Sequence, residues 1–174
     1  MKRIDGLAVN KYKKRIVNIS ISQSSLRNQG KKDLIKKTRE FLNKINLYKF
    51  NKNKSHFKIN LKKETKKLMK KTKLKFGAAR KSLNIFLLQC SLDRVLSSFY
   101  KVGRILNYLE LPLDSYTAKH LKGKNEKLPR WNGVKNLKEK ENLEFQNFAG
   151  KLAKIKNIPR AYLDLEYWRN KEFD

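Results

Sequence analysis

The sequence predicts an all-α fold, a compact bundle of about seven or eight helices. Apolar residues recur at helical spacing through three long stretches, 34–45, 79–88 and 145–155. Only one short stretch, 15–22, alternates as a strand does, and no partner strand is evident for it. At 174 residues the chain has the size of one domain, 1–174. Its composition shifts near residue 76. A lysine-dominated helical portion, 1–75, precedes a portion, 76–174, that holds the longer apolar patterns, both Trp and all three Pro.

The elements follow in order. Residues 15–22 leave strand, helix and loop all open. Asp33 can cap a helix in which Leu34, Ile35, Phe41, Leu42 and Ile45 line one face. Residues 53–57 read as a loop, and a second basic helix covers 61–71, with Leu61, Thr65, Leu68 and Met69 facing inward. Gly77 punctuates the chain before a strongly patterned helix, 78–90. One or two helices cover 92–106, with Ser91 a candidate cap and Gly103 a candidate break. A short apolar segment, 108–113, contains Pro112. Asp114 then suits the cap of a helix over 115–121, since its carboxylate accepts backbone N–H groups at the positive end of the dipole. Pro129 to Gly133 form a turn anchored by Trp131. Asn136 or Asn142 starts a long helix carrying Phe145, Phe148, Ala149, Leu152, Ala153 and Ile155. Pro159 separates it from a last helix over 161–170.

Charge dominates the composition. Lys and Arg number 44 against 15 Asp and Glu, a formal net charge of +29. So much like charge in one body works against folding unless a polyanion relieves it. A solvated surface alone would raise Glu along with Lys, and Glu lags far behind. The charge therefore points to a nucleic-acid partner, double-stranded DNA first and RNA as the alternative. The single cysteine, Cys90, excludes an intrachain disulfide and reads as a small buried hydrophobe. With only His56 and His120 beside it, neither a metal site nor a cofactor is expected. No apolar run reaches the roughly 18 residues of a membrane span. The N-terminus lacks the apolar core of a signal peptide, so a cytoplasmic protein without a membrane partner is expected.

Two segments carry candidate chemistry. Phe76-Gly77-Ala78-Ala79-Arg80-Lys81 is a glycine turn feeding a helix that bears a lysine. Glu110-Leu111-Pro112-Leu113-Asp114-Ser115 is a proline-bracketed segment ending in an aspartate at a helix start. Taken singly, Lys81 is one surface lysine among many and Asp114 an N-cap. Their order, Gly, Lys, then Pro-x-Asp, resembles the helix-hairpin-helix DNA glycosylases, in particular the 8-oxoguanine glycosylase branch, over residues 76–168. Phe145-Gln146 and Leu163 to Trp168 resemble the C-terminal helices of that fold. The second hairpin glycine of that family is Ala79 here, and Lys81 and Asp114 stand 33 residues apart.

The resemblance implies DNA repair by excision of a modified base, with strand-cleaving lyase activity as an option. Asp114 would stabilise the positive charge that builds on the sugar. Lys81 would attack C1′, its amine made available by burial and by the neighbouring charge of Arg80. Gly77, Ala79 and Arg80 would meet the phosphate backbone, with Lys36, Lys37, Lys70, Lys71, Lys73 and Lys75 holding the duplex. The base would leave the stack for a pocket lined from Phe86, Tyr116, Trp131 or Trp168. His120 reads as surface or phosphate-facing. The alternative is a non-enzymatic nucleic-acid-binding protein on the same scaffold, such as a structural subunit of a ribonucleoprotein or defence complex.

Overall fold

The computed structural model describes residues 6–22, 26 and 32–169. Among these residues the chain is all helical, with eight α-helices, three short 3₁₀ turns and no strand. The stretch that alternates in sequence belongs to α1 (Gly6–Ser20). Val9, Lys13, Ile16, Val17 and Ser20 are buried at helical spacing, whereas Ile19 is 57% exposed. Adjacent Ile16 and Val17 both point inward, which a strand forbids and a helix allows. α2 (Lys32–Asn43) holds Asp33 inside its first turn, where it pairs with Lys37 at 2.6 Å. Lys13 closes the end of α2, its ammonium donating to the carbonyls of Asn43 at 2.8 Å and of Ile45. Burial holds the pKa of Lys13 below the usual lysine value.

α3 (Lys54–Thr72) starts well before the sequence pattern suggests. Residues 54–57, expected as loop, form its first turn because the Asn53 side chain accepts from the His56 N–H at 3.0 Å. Phe57 is then fully buried. After Lys73, in the left-handed region at φ 63°, the chain turns into α4 (Phe76–Leu92). This helix buries residues around most of its circumference, Ala79, Leu83, Phe86, Leu87 and Cys90 among them, and it packs on α1 and α3. α5 (Arg94–Tyr100) is capped by Asp93 and not by Ser91, and a 3₁₀ turn starts at Gly103.

α6 (Ser115–Lys124), α7 (Glu139–Ile155) and α8 (Leu163–Arg169) build the second half. α7 begins between the two asparagines expected to start it: Lys138 is its N-cap, and Glu141 accepts the Lys138 N–H at 2.9 Å. Two apolar clusters result. The larger lies among α1 to α5 and includes Leu109; the smaller, under α6, α7 and α8, includes Leu111, Leu113 and Phe145. The non-helical segment 109–113 thus runs along the boundary between them.

At Gly77 the two halves touch closely. A Cβ there would lie 2.2 Å from the Val134 carbonyl oxygen and 2.8 Å from the Leu137 Cβ. The glycine lets the 134–137 turn sit directly on the first turn of α4. Gly77→Ala should therefore destabilise the protein. Overpacking costs about 1–3 kcal/mol, against a helix-propensity gain of roughly 0.5–1 kcal/mol. The net loss should appear as a lower urea midpoint with an unchanged slope. An unchanged midpoint would mean that the turn moves aside freely.

Candidate lysine–aspartate site and basic surface

The site is built at the seam. One face of α4 carries Arg80, Lys81 and Asn84 toward the segment 110–114. Side chains from three directions fix that segment. Gln146 of α7 takes the Leu111 N–H on its oxygen at 3.0 Å and returns an N–H to the Leu111 carbonyl at 2.8 Å. Arg160 donates to the Leu109 carbonyl through Nε at 3.1 Å and Nη2 at 2.9 Å. Asn84 accepts the Glu110 N–H at 3.2 Å.

Glu110 itself is the acceptor for Arg80. Arg80 Nε and Nη2 each reach one carboxylate oxygen at 2.7 Å, and Nη1 donates to Thr65 Oγ1 at 3.1 Å. Burial pushes the Glu110 pKa up, but the hydrogen bonds and charge of Arg80 outweigh it, with help from Arg160 and Asn84. The net result lies below the ordinary glutamate value. The charge of Arg80 is thus matched by Glu110, and it is not left to act on Lys81.

Four residues beyond Glu110, Asp114 divides its two oxygens between two tasks. Oδ1 accepts the N–H groups of Tyr116 at 3.0 Å and Thr117 at 2.9 Å, and Thr117 Oγ1 accepts the Asp114 N–H at 2.9 Å, a capping box at the start of α6. Oδ2 remains for Lys81, whose Nζ donates to it at 3.2 Å. The side chains are 12% and 24% exposed for Lys81 and Asp114, so the pair is sheltered but reachable from solvent. The fold brings these two residues together across 33 positions of sequence.

The other expected site residues divide. Trp131 is half-buried beside the pair, its Nε1 donating to Ser115 Oγ at 3.2 Å and its ring edge-on to Phe145. Tyr116 donates its hydroxyl to the Tyr167 carbonyl at 2.7 Å. His120 is not a free surface group: its ring stacks on Tyr167 at 4.7 Å and meets Tyr116 edge-on at 4.5 Å. Phe86 is fully buried in the larger apolar cluster, so the base-pocket role expected of it is corrected to a core role. The side chain of Trp168 lies outside the described residues.

The glycine hairpin is corrected as well. Residues 73–75 join α3 to α4, and Gly77 and Ala79 are buried inside α4, packed against protein. Arg80 is held by Glu110 and is not offered to a backbone. Lys36, Lys70, Lys71, Lys73 and Lys75 are exposed and in no ion pair among the described residues, whereas Lys37 is paired with Asp33. α3 carries eight lysines, of which Lys62 and Lys67 are paired, with Glu139 and Glu64. Lys54, Lys58, Lys62, Lys66 and Lys70 recur every four residues and form one winding stripe.

A cavity of about 510 Å³ opens beside that stripe. Lys62, Thr65, Lys66 and Met69 of α3 line one wall, Lys75, Phe76 and Arg80 a second, and the 135–139 turn a third. Neither Lys81 nor Asp114 lines it. Among the described residues no helix is long and apolar enough to cross a membrane, and no cluster of His, Cys, Asp or Glu is placed to hold a metal.

Sequence reasoning missed Glu110, Asn84 and Arg160 as positioning residues, and it read Gln146 only as part of a helical pattern. One signal was available: Glu110 stands between Leu109 and Leu111, and a lone carboxylate in an apolar run needs a buried partner. Comparison of the chain with protein-family models, with curated proteins and with solved structures finds no match.

Proposed function

We propose that the protein binds nucleic acid, duplex DNA in the first place, and excises a base through Lys81 and Asp114. The observation that carries the reading is the 3.2 Å contact between Lys81 Nζ and Asp114 Oδ2. In the reaction, Asp114 takes a proton from the Lys81 ammonium. The freed amine lone pair attacks C1′ of the nucleotide, the C1′–N bond breaks, and its electron pair leaves with the base. The departing base takes up the proton from Asp114, and the regenerated carboxylate offsets the positive charge left on the amine adduct. The C1′–O4′ bond of the adduct then breaks, the nitrogen gives up a proton to O4′, and its lone pair forms the C=N bond of a protonated Schiff base. The lysine-rich surface of α3 supplies the phosphate contacts.

Borohydride trapping tests this. The wild-type protein should become covalently linked to DNA carrying an abasic site or a damaged base. Lys81→Gln should abolish the cross-link. Asp114→Asn keeps a capping side chain and should slow trapping by about 10²–10³-fold, the usual effect of removing one electrostatic stabiliser. Lys81→Gln leaves the sheltered Asp114 carboxylate without its cation and should cost about 1–3 kcal/mol, so a melting curve must show the variant folded before trapping is read. Loss of trapping in that variant is then a loss of chemistry. A wild-type protein that never cross-links across a lesion panel sinks the reading.

A second reading has its own support. The 510 Å³ cavity excludes both residues, and the capping box gives Asp114 a structural task without any chemistry. On that reading the chain is a nucleic-acid-binding protein without catalysis, and it binds DNA or RNA without trapping.

A further inference from the structure

We propose that the cavity between α3, the start of α4 and the 135–139 turn is a binding site for one nucleotide, with its phosphate on the lysine rim and its ring against the apolar part of the lining. The site shares no residue with the Lys81–Asp114 pair. It depends on that reading only in expecting a phosphate-bearing ligand.

Three observations converge. The rim is cationic: Lys66, Lys75, Lys135 and Lys138 are in no ion pair among the described residues, and the single carboxylate of the lining, Glu139, is neutralised by Lys62 at 3.0 Å. Two helices begin at the cavity. Lys75 and Phe76 start α4, whose N-cap makes no side-chain hydrogen bond, whereas the start of α7 already carries Glu139 and Glu141. The positive dipole end of α4 therefore favours an anion at this place. The lining also has an apolar part, Met69, Phe76 and Leu137, and Phe76 is half-buried.

These features select the ligand together. An inorganic anion needs the lysines but no apolar part, and an acyl chain needs the apolar part but not four unpaired ammonium groups. A nucleotide uses both. At about 510 Å³ the cavity is also within the range of about 300–1,000 Å³ typical of small-molecule sites. The Gly77 contact with Val134 and Leu137 sets how close the third wall stands, and so fixes the width of the site.

The test is calorimetric titration of the full chain with adenosine 5′-monophosphate, with adenosine and inorganic phosphate as separate ligands. Saturable binding of the monophosphate, tighter than of either fragment, is expected. Lys66→Glu and Lys135→Glu should each weaken it about tenfold, the value of one charge-assisted contact. Lys11→Glu and Lys14→Glu on α1, away from the cavity, should leave it unchanged. A short single-stranded oligonucleotide separates the two sources of the ligand. Competition with the monophosphate assigns the site to a nucleotide of a bound strand, and no competition assigns it to a free nucleotide. The proposal is overturned if the monophosphate binds no better than phosphate, or if the α1 variants weaken it as much as the rim variants do. Lys81 and Asp114 are intact in every variant and Lys135 lies off the α3 surface, so Lys135→Glu lets trapping and nucleotide binding fail independently.

Discussion

Between about 50 mM and about 200 mM salt, the affinity of this protein for duplex DNA should fall by roughly 10³-fold. The magnitude follows from the surface of α3. Six of its eight lysines are in no ion pair among the described residues, once Lys62 and Lys67 are set aside. If each of the six neutralises one phosphate, the plot of log affinity against log salt should have a slope of about −5. Fluorescence anisotropy with a labelled duplex at four or five salt concentrations measures it. Lys58→Gln and Lys66→Gln together should make the slope shallower by about 2. A slope near zero would place the contact face elsewhere and remove nucleic acid as the explanation of the charge.

Glu110→Gln should be the most damaging single substitution at the seam, at about 3–5 kcal/mol. Glu110 accepts both nitrogens of the Arg80 fork and faces the charge of Arg160. Gln preserves the volume but removes the negative charge, so two sheltered guanidinium groups lose their counter-ion. For a chain of this size the melting temperature should drop by roughly 6–20 °C. The pH dependence gives a second readout. The carboxylate has a folded pKa below its unfolded one, so its contribution is complete above the ordinary glutamate range and is lost as pH falls through the lower, folded value. The stability difference between wild type and variant should therefore shrink as the solution is acidified. A variant within about 1 kcal/mol of wild type at neutral pH would show that Arg80 and Arg160 find water or other partners.

Much of the architecture is legible in the sequence because local signals agree with packing. The helical spacing of Leu83, Phe86 and Leu87 marks α4, and Asp114 announces α6 through its own chemistry. Residues 15–22 mislead because β-branched residues at 16, 17, 19 and 21 imitate alternation. Only the tertiary environment shows that Ile16 and Val17 share one buried face. Residues 53–57 mislead in the opposite sense: their composition is polar, yet the Asn53 cap and the burial of Phe57 begin α3 there. The Lys81–Asp114 contact is legible only as an order of residues. Its geometry depends on Asn84, Gln146 and Arg160, which bond to residues 108–111 across separations of 26 to 52 positions that no local pattern encodes. The apparent glycine hairpin is the counterpart error. Gly77 is required, but for close contact with the 134–137 turn.

The segment 109–113 carries one more consequence. A non-helical stretch in a helical protein leaves amide and carbonyl groups that no ladder satisfies, and such groups can recruit a foreign strand. Here the Leu111 N–H and carbonyl are both taken by Gln146, the Glu110 N–H by Asn84 and the Leu109 carbonyl by Arg160. Side chains stand in for part of the missing sheet neighbour, and four of the backbone groups that a foreign strand would need are already taken.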